Sequence, residues 1–373
     1  MKVSILTIIG IENYGSLLQA IATQKKMEEY ADDVQFINYI HNSRYTDLSR
    51  NIKNPLKKPF RVLRMVLYNR NFRMLKDTYI RLSKEIYTRG RDFENFQDDA
   101  DIYCTGSDQI WNPSTVRHMP LGLRFLEFIP EGKRKFAFAS SFGLERMDEK
   151  IVAQSREWIH QFERISVRED SGIKILTEQY GYEDPIQLVD PTLAVPPEYW
   201  RKCAAKPGIK KDYILIYAVY IDKAFDEYAK KLSKKTGLPL IRLCPDIHQA
   251  LRCGKSLIIP PVFSFITLID NAKYVLTDSL HATAFSMSLN TEPICVCFEN
   301  PGRIASFLRL IGQEQRMISD FNDFDVLSRP VDFKHVNTIL AGERERVDEF
   351  LRSIFSSDQD IPSLPRATHY QER

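Results

Sequence analysis

Four short polar stretches in this chain hold residue types that do chemistry. Asn13-Tyr14-Gly15-Ser16 offers an amide, a hydroxyl and a glycine where an amphipathic stretch begins. It reads as a helix cap, or as a helix N-terminus whose N–H groups meet an anion or a sugar hydroxyl. Thr105-Gly106-Ser107-Asp108-Gln109-Ile110-Trp111-Asn112-Pro113 sets Ser107, Asp108, Gln109 and Asn112 beside the Trp111 indole, with Gly106 allowing a sharp exit from the preceding apolar run. Carboxylates and amides bind hydroxyls while an aromatic face packs on sugar C–H groups, so this mix suits a hydroxyl-rich ligand. In Val167-Arg168-Glu169-Asp170-Ser171 an arginine stands beside two acids. Arg168 either pairs with them or reaches into a cleft to hold a phosphate or carboxylate bidentately. Asp190-Pro191-Thr192 reads as a turn. In Thr277-Asp278-Ser279-Leu280-His281-Ala282, Asp278 is expected to be the N-cap, which puts His281 in the first helical turn. The positive end of a helix suits an imidazole that binds a phosphate or hands on a proton.

The elements that must position these stretches alternate along the chain. Val3–Ile9, Val34–Tyr39, Ala100–Thr105, Lys135–Phe142, Ile165–Arg168 and Ile186–Val189 read as strands. A helix is expected over Ser16–Tyr30, with Leu17, Ile21, Gln24 and Met27 at helical spacing and Ser16 with Gln19 as a capping box. Another is expected over Glu149–Glu163. Ala194–Lys211, with Pro196, Pro197, Pro207 and Gly208, reads as a linker. The alternation then restarts. Strands are expected at Tyr213–Tyr220, Leu240–Cys244, Leu257–Ile259, Tyr274–Thr277 and Ile294–Phe298, with helices at Ala224–Thr236, Ser264–Ala272, Ser279–Leu289 and Arg303–Ile311. This order implies parallel sheets covered on both faces. The expected architecture is two α/β domains with a cleft between them, 1–195 and 196–373, the second ending in a helical tail. Ligands in such sheets sit at the carboxyl ends of the strands, where all four stretches fall.

Composition narrows the function classes. A length of 373 residues fits about two domains of roughly 100–200 residues. Lys+Arg 52 against Asp+Glu 49 leaves +3, which argues against a surface built for nucleic acid. No apolar run approaches the roughly 20 residues that span a bilayer, and the N-terminal run reads as a buried strand and not a signal peptide. The six cysteines form no C-x-x-C and read as reduced thiols, so a cytoplasmic setting is expected. Gly254-Lys255-Ser256 lacks the earlier glycine of a P-loop, and Asp99-Ala100-Asp101 precedes its strand and reads as a solvated turn. No G-x-G-x-x-G, zinc spacing or serine nucleophile elbow is present. One region departs from the neutral balance. Lys53, Lys57, Lys58, Arg61, Arg64, Arg70, Arg73, Lys76, Arg81 and Lys84 face a single acid, Asp77. Phe60, Leu63 and Leu67 share a helical face there, the pattern of an interfacial helix, so peripheral membrane contact through 53–84 is expected beside the alternative of a domain-packing helix.

Taken in order, Asn13-Tyr14-Gly15-Ser16, Gly106-Ser107-Asp108-Gln109-Ile110-Trp111-Asn112-Pro113, Val167-Arg168-Glu169 and Thr277-Asp278-Ser279-Leu280-His281 resemble the polysaccharide pyruvyl transferase family over roughly residues 1–312. Arg303-Ile304-Ala305-Ser306-Phe307-Leu308 is similar to the helix after the family's last strand. The resemblance implies two Rossmann-like domains in a glycosyltransferase-B-like pair. It implies transfer of a pyruvyl group from phosphoenolpyruvate onto two hydroxyls of a sugar, or of a lipid-linked glycan, with no metal or organic cofactor. It places Arg168 and Leu280-His281 at the donor. The sequence departs at Ser279, where some members carry arginine, and Arg303 or another basic residue is the replacement cation to expect. The expected roles follow. His281 is the acid for the enol carbon, Asp108 the base for the acceptor, and Arg168 a donor anchor. Thr277, Ser279, Leu280 and Arg303 bind the donor; Asn13, Ser107, Gln109, Trp111 and Asn112 bind the acceptor. A nucleotide-sugar-dependent glycosyltransferase and a non-catalytic carbohydrate-binding relative are the alternatives on the same architecture.

Overall fold

The computed structural model describes residues 1–9, 13–39, 58–88, 90–115, 119–204, 212–220, 222–298 and 302–356. Two parallel sheets carry the fold. The first has β1 (Lys2–Leu6), β2 (Asp33–Tyr39), β3 (Leu82–Tyr87), β4 (Ile102–Thr105), β5 (Arg134–Ser140), β6 (Arg164–Val167) and β7 (Ile186–Gln187), in the order β3-β2-β1-β4-β5-β6-β7. The second has β8 (Ile214–Tyr217), β9 (Leu240–Cys244), β10 (Lys255–Ile258), β11 (Tyr274–Thr277) and β12 (Glu292–Cys295), in the order β10-β9-β8-β11-β12. Both chains of connection run outward from the first strand and then return to its other side. The order therefore reverses between β1 and β4, and between β8 and β11. The crevices at these two switch points are where α/β sheets receive ligands. The two Rossmann-like domains make a glycosyltransferase-B-like pair.

Val3, Ile5, Phe36, Ile102 and Phe136 fill the first sheet and Ile214, Ile216, Leu276 and Ile294 the second, all buried. These are the near-continuous apolar runs that sheets covered on both faces require. β3 was not expected from the sequence: Ser83-Lys84-Glu85 breaks the apolar pattern, which an exposed edge strand tolerates.

Three expectations are corrected. The first helix spans Tyr14–Met27 and is capped by Asn13, whose side chain accepts from Gly15 N at 2.9 Å and Ser16 N at 3.3 Å. Ser16 is one turn inside, and its hydroxyl goes elsewhere. The segment read as a linker is packed structure as far as Ala204. Pro191 and Pro197 open the helices Pro191–Ala194 and Pro197–Cys203, where a missing N–H costs nothing. Trp200 is fully buried there and donates to Thr192 O at 3.0 Å. Residues 205–211 lie outside the described residues. Finally, the C-terminal helix Phe333–Phe355 returns to the first sheet. Phe350 stacks on Phe138 with centroids 6.4 Å apart, and Arg134 donates to Ile354 O at 2.6 Å. The last helix, which follows the second sheet in the chain, thus packs on the first.

Candidate functional site

The first-domain switch point is built on Arg168, at the end of β6. Its guanidinium is 1% exposed and surrounded by carboxylates. It donates to Asp190 Oδ2 at 2.7 Å and Asp108 Oδ1 at 3.2 Å, and Nε lies 3.7 Å from Glu169 Oε2. Each acid is held from its other side. Glu169 Oε1 accepts from Phe142 N at 2.9 Å and Gly143 N at 3.0 Å. Asp190 Oδ1 accepts from Thr192 N at 3.0 Å and Thr192 Oγ1 at 2.7 Å. Asp108, at φ 71°, accepts from the Ser16 hydroxyl. Burial pushes the Asp108 carboxyl up, but Arg168, His281, Ser16 and Arg303 outweigh it and hold the group below the usual range. At Asp190 burial is likewise outweighed, here by His281, Arg168 and the Thr192 N–H, and the net direction is strongly downward. Burial lowers Arg168 while Asp108, Asp190 and Glu169 raise it, for a net rise. The expected reach of Arg168 into an open cleft is therefore corrected: its fork is already spent on protein carboxylates.

His281 comes to this cluster from the second domain. The helix Leu280–Ser288 is capped by Ser279, which accepts from Ala282 N at 3.4 Å, while Thr277 Oγ1 accepts from Ser279 N at 3.0 Å. Asp278, the expected cap, turns the other way and accepts from Val219 N and Tyr220 N at 2.7 Å each. Two converging N–H groups after β8 outcompete the local cap. Burial raises the Asp278 carboxyl, and those two bonds offset only part of it. His281 remains in the first turn, with Nε2 3.5 Å from Asp190 Oδ2, an ion-pair distance at which no hydrogen bond closes. Its ring lies against Gly15: a Cβ built there would overlap Nδ1, Cγ and Cε1 of the imidazole. Gly15 is what lets the two helix N-termini meet.

Beside the cluster, a cavity of about 850 Å³ opens between the domains. Gln109, Asn112 and Ser171 line it from the first domain; Tyr220, Leu280 and Arg303 line it from the second. Turning the Gln109 amide oxygen toward Arg303 gives two bonds, from Nη2 at 2.9 Å and Nη1 at 3.1 Å. Burial and the nearby Arg168 lower the Arg303 pKa.

The expected acceptor stretch thus divides three ways. Gln109 and Asn112 reach the cavity. Asp108 and Ser107 join the ion cluster, Ser107 Oγ donating to Asp190 Oδ2 at 3.5 Å. Trp111 is fully buried, stacked on Phe125 at 5.5 Å, with Nε1 donating to Arg124 O at 3.0 Å, so it offers no face to a sugar. Asn13 serves as a helix cap, and Thr277 holds the N–H of the capping residue Ser279. Sequence reading singled out the stretch holding Gly15 and Ser16 but gave those two residues no site role, and it missed Asp190 and Tyr220. Asp190 carried a signal, as an acid just past a strand, where a turn was expected.

The basic region is described from residue 58, so Lys53 and Lys57 lie outside the described residues. The helix Lys58–Tyr68 hangs on the second domain. Arg64 pairs with Asp246 at 3.2 Å, and Asn71 Nδ2, beyond the helix, donates to Ile259 O at 2.6 Å. Phe60, Val62, Leu63 and Val66 face outward, whereas Leu67 packs on the core. No helix among the described residues is long and apolar enough to cross a membrane.

Comparisons with known proteins bear on both fold and family. The profile of the family described as Polysaccharide pyruvyl transferase matches residues 13–296. No curated protein sequence matches the chain. Among solved structures, a putative UDP-N-acetylglucosamine 2-epimerase from Listeria monocytogenes superposes with a TM-score of 0.58 at 10% identity, covering 97% of this chain and 98% of that one. The UDP-GlcNAc 2-epimerase of Methanocaldococcus jannaschii, in complex with UDP-GlcNAc and UDP, gives 0.55 at 13% identity, covering 95% and 100%. The S. aureus MnaA–UDP structure gives 0.55 at 12% identity, covering 97% and 99%. At these identities the likeness is one of fold.

Proposed function

Because this chain belongs to the polysaccharide pyruvyl transferase family, we propose that it moves a pyruvyl group from phosphoenolpyruvate onto two hydroxyls of a sugar in a cell-surface or exopolysaccharide precursor. The products are a cyclic ketal and phosphate. The observation that carries the reading is His281, in the first turn of its helix, set against Asp190, with its chain neighbour Leu280 lining the cavity that Arg303 also lines.

In this reading Arg303 and the N–H groups opening the helix at Leu280 hold the donor's phosphate and carboxylate. Arg303 takes the place of the arginine absent at 279. His281 gives a proton to the enol methylene, which becomes the methyl group. The first sugar hydroxyl adds to the central carbon and the phosphate leaves; the second hydroxyl adds and closes the ketal. Two hydroxyl protons are released, one replacing the proton His281 gave and one leaving with phosphate. Asp108 is a poor base, since its carboxyl is held below the usual range and its oxygens are engaged. We assign the base role to His281 after it has given its proton, oriented by Asp190. Arg168 then positions the acids instead of binding the donor. The acceptor is lipid-linked, and the helical segment from residue 58 meets the anionic inner face of the membrane that carries it.

The test is phosphate release from phosphoenolpyruvate by the purified chain with glycan acceptor, read beside thermal shift. Phosphoenolpyruvate is expected to raise the melting temperature. A rise with nucleotide sugars alone would overturn the donor and leave a glycosyltransferase.

A further inference from the structure

One wall of the inter-domain cavity has a chemistry the donor does not use. Tyr220, Phe225, Phe298 and Phe321 stand together on the second-domain side. Tyr220 is 80% exposed and Phe298 42%, although most large aromatic side chains here are buried. Phe298 meets Phe321 edge-on at 4.9 Å between centroids, and Phe321 meets Phe225 at 6.3 Å, so these three rings are connected, and Tyr220 lines the same cavity. The backbone that carries Tyr220 is anchored from behind, since the Asp278 carboxylate accepts from its N–H and from that of Val219. Holding an exposed tyrosine in one place adds nothing to the core. It pre-organises a surface for something that enters the cavity.

Charge selects what enters. The lining holds the carboxylates Glu145, Asp222 and Asp278, and Arg303 is the only cation among the described lining residues. A nucleotide base would stack on Tyr220, but its diphosphate would compete with the donor for Arg303. A neutral ring with hydroxyls does not. Its C–H face packs on the aromatic wall, and its hydroxyls find Asp222, Gln109 and Asn112.

We propose that Tyr220 and Phe298 form the platform on which the acceptor's pyranose ring stacks, the role that buried Trp111 does not fill. The proposal rests on the reading above only in taking the acceptor to be a sugar. Asp278 is a positioning residue for this platform.

Saturation-transfer NMR on the full chain tests it, without donor, using the methyl β-glycosides of galactose, glucose and N-acetylglucosamine as probes. The expected result is transfer to the ring C–H protons of at least one glycoside, reduced at least fivefold in Tyr220→Ala and in Phe298→Ala and restored in Tyr220→Trp. Both residues are exposed, so the variants are expected to melt like wild type. Undiminished transfer in both alanine variants overturns the platform, as does absence of transfer from all three glycosides in wild type. Displacement of the glycoside by UDP through Tyr220 overturns the neutral-ring assignment. Calorimetry with phosphoenolpyruvate on the same samples reads the donor separately. Binding equal to wild type in Tyr220→Ala is expected; no binding in wild type counts against the transferase reading and leaves the platform standing.

Discussion

The two switch points face each other across the cleft and are built in opposite ways. Between β1 and β4 the polar groups turn inward: Asp108, Glu169 and Asp190 close around Arg168, and Ser16 and Thr192 close around the acids. Between β8 and β11 they turn outward: Tyr220 stands in the cavity and His281 projects against the opposite domain. The first is a buried ion network whose members fix one another, although Arg168 Nε and Glu169 Oε2, 3.7 Å apart, close no hydrogen bond. The second is a supported surface with open valences. The same strand–loop–helix plan serves both, so the difference lies in which side chains find partners within their own domain. Rigidity on one side allows a single imidazole on the other to be placed with accuracy.

The comparison breaks most visibly at Arg168. Arg168→Met leaves three buried carboxylates without their shared cation. Removing one partner of a buried ion cluster costs about 3–5 kcal/mol, and a melting-temperature fall on the order of 10 °C is expected by calorimetry. Arg168→Lys keeps the charge but not the fork, and a smaller fall with impaired turnover is expected. A Lys variant equal to wild type would show that the fork is not needed.

On the second side, His281→Ala is expected to lower turnover by about 10²–10⁴-fold with the melting temperature nearly kept, since an acid–base group contributes on that scale. Gly15→Ala sharpens the point. The added methyl overlaps the imidazole, so His281 or the helix behind it must move, and a comparable loss of turnover is expected although nothing catalytic is altered. Wild-type turnover in Gly15→Ala would mean that the observed ring position is not the working one.

The carboxylates separate the two sides by pH. Asp108 and Asp190 lie below their unfolded values, so the stability they supply is present above about pH 4 and is lost as the pH falls below it. Asp278 lies above its unfolded value, so its contribution is present below about pH 4 and fades as pH rises through the raised value. Melting curves from pH 7 to 3 are expected to fall at the acid end, and Asp278→Asn is expected to remove the opposing component while lowering stability at every pH, since the amide can accept only one of the two N–H groups.

How much of this the sequence made legible follows the same division. The sheets were readable because strands buried on both faces write themselves as apolar runs, and Tyr274–Thr277 and Leu240–Cys244 begin and end where expected. The loops that carry chemistry were readable by position. The partners inside them were not. Ser16 and Asp108 are 92 positions apart, and Arg168 and Asp190 are 22 apart, and no local spacing records such pairs. Trp111 misled because an indole in a polar loop looks the same whether its face turns to a ligand or, as here, to Phe125. Asp278 misled because local capping preference is worth about 1 kcal/mol, and two N–H groups from the loop after β8 exceed it.

The smallest expected effect lies outside both switch points, on the helix Lys58–Tyr68. This helix is amphipathic in reverse. Arg64 turns toward Asp246, while Phe60 is 60% exposed, Val66 51%, Val62 49% and Leu63 46%. Farther along, Arg70 and Arg73 are exposed. An apolar face beside basic side chains fits the boundary of an anionic bilayer, where each nearby Lys or Arg contributes about 1 kcal/mol. The ordinary reading of a basic helix predicts the opposite arrangement, with arginines outward and apolar groups packed. The apolar part of the attraction is insensitive to salt, while the electrostatic part fades because screening shortens to about 8 Å at physiological ionic strength. Co-sedimentation with anionic vesicles is therefore expected to exceed that with neutral ones, and to weaken but not vanish as salt rises. Phe60→Ser with Val66→Ser is expected to remove the residue that survives high salt and to leave phosphate release from soluble substrates unchanged. Equal recovery in the supernatant with both vesicle types, at every salt concentration, would leave this helix as packing alone.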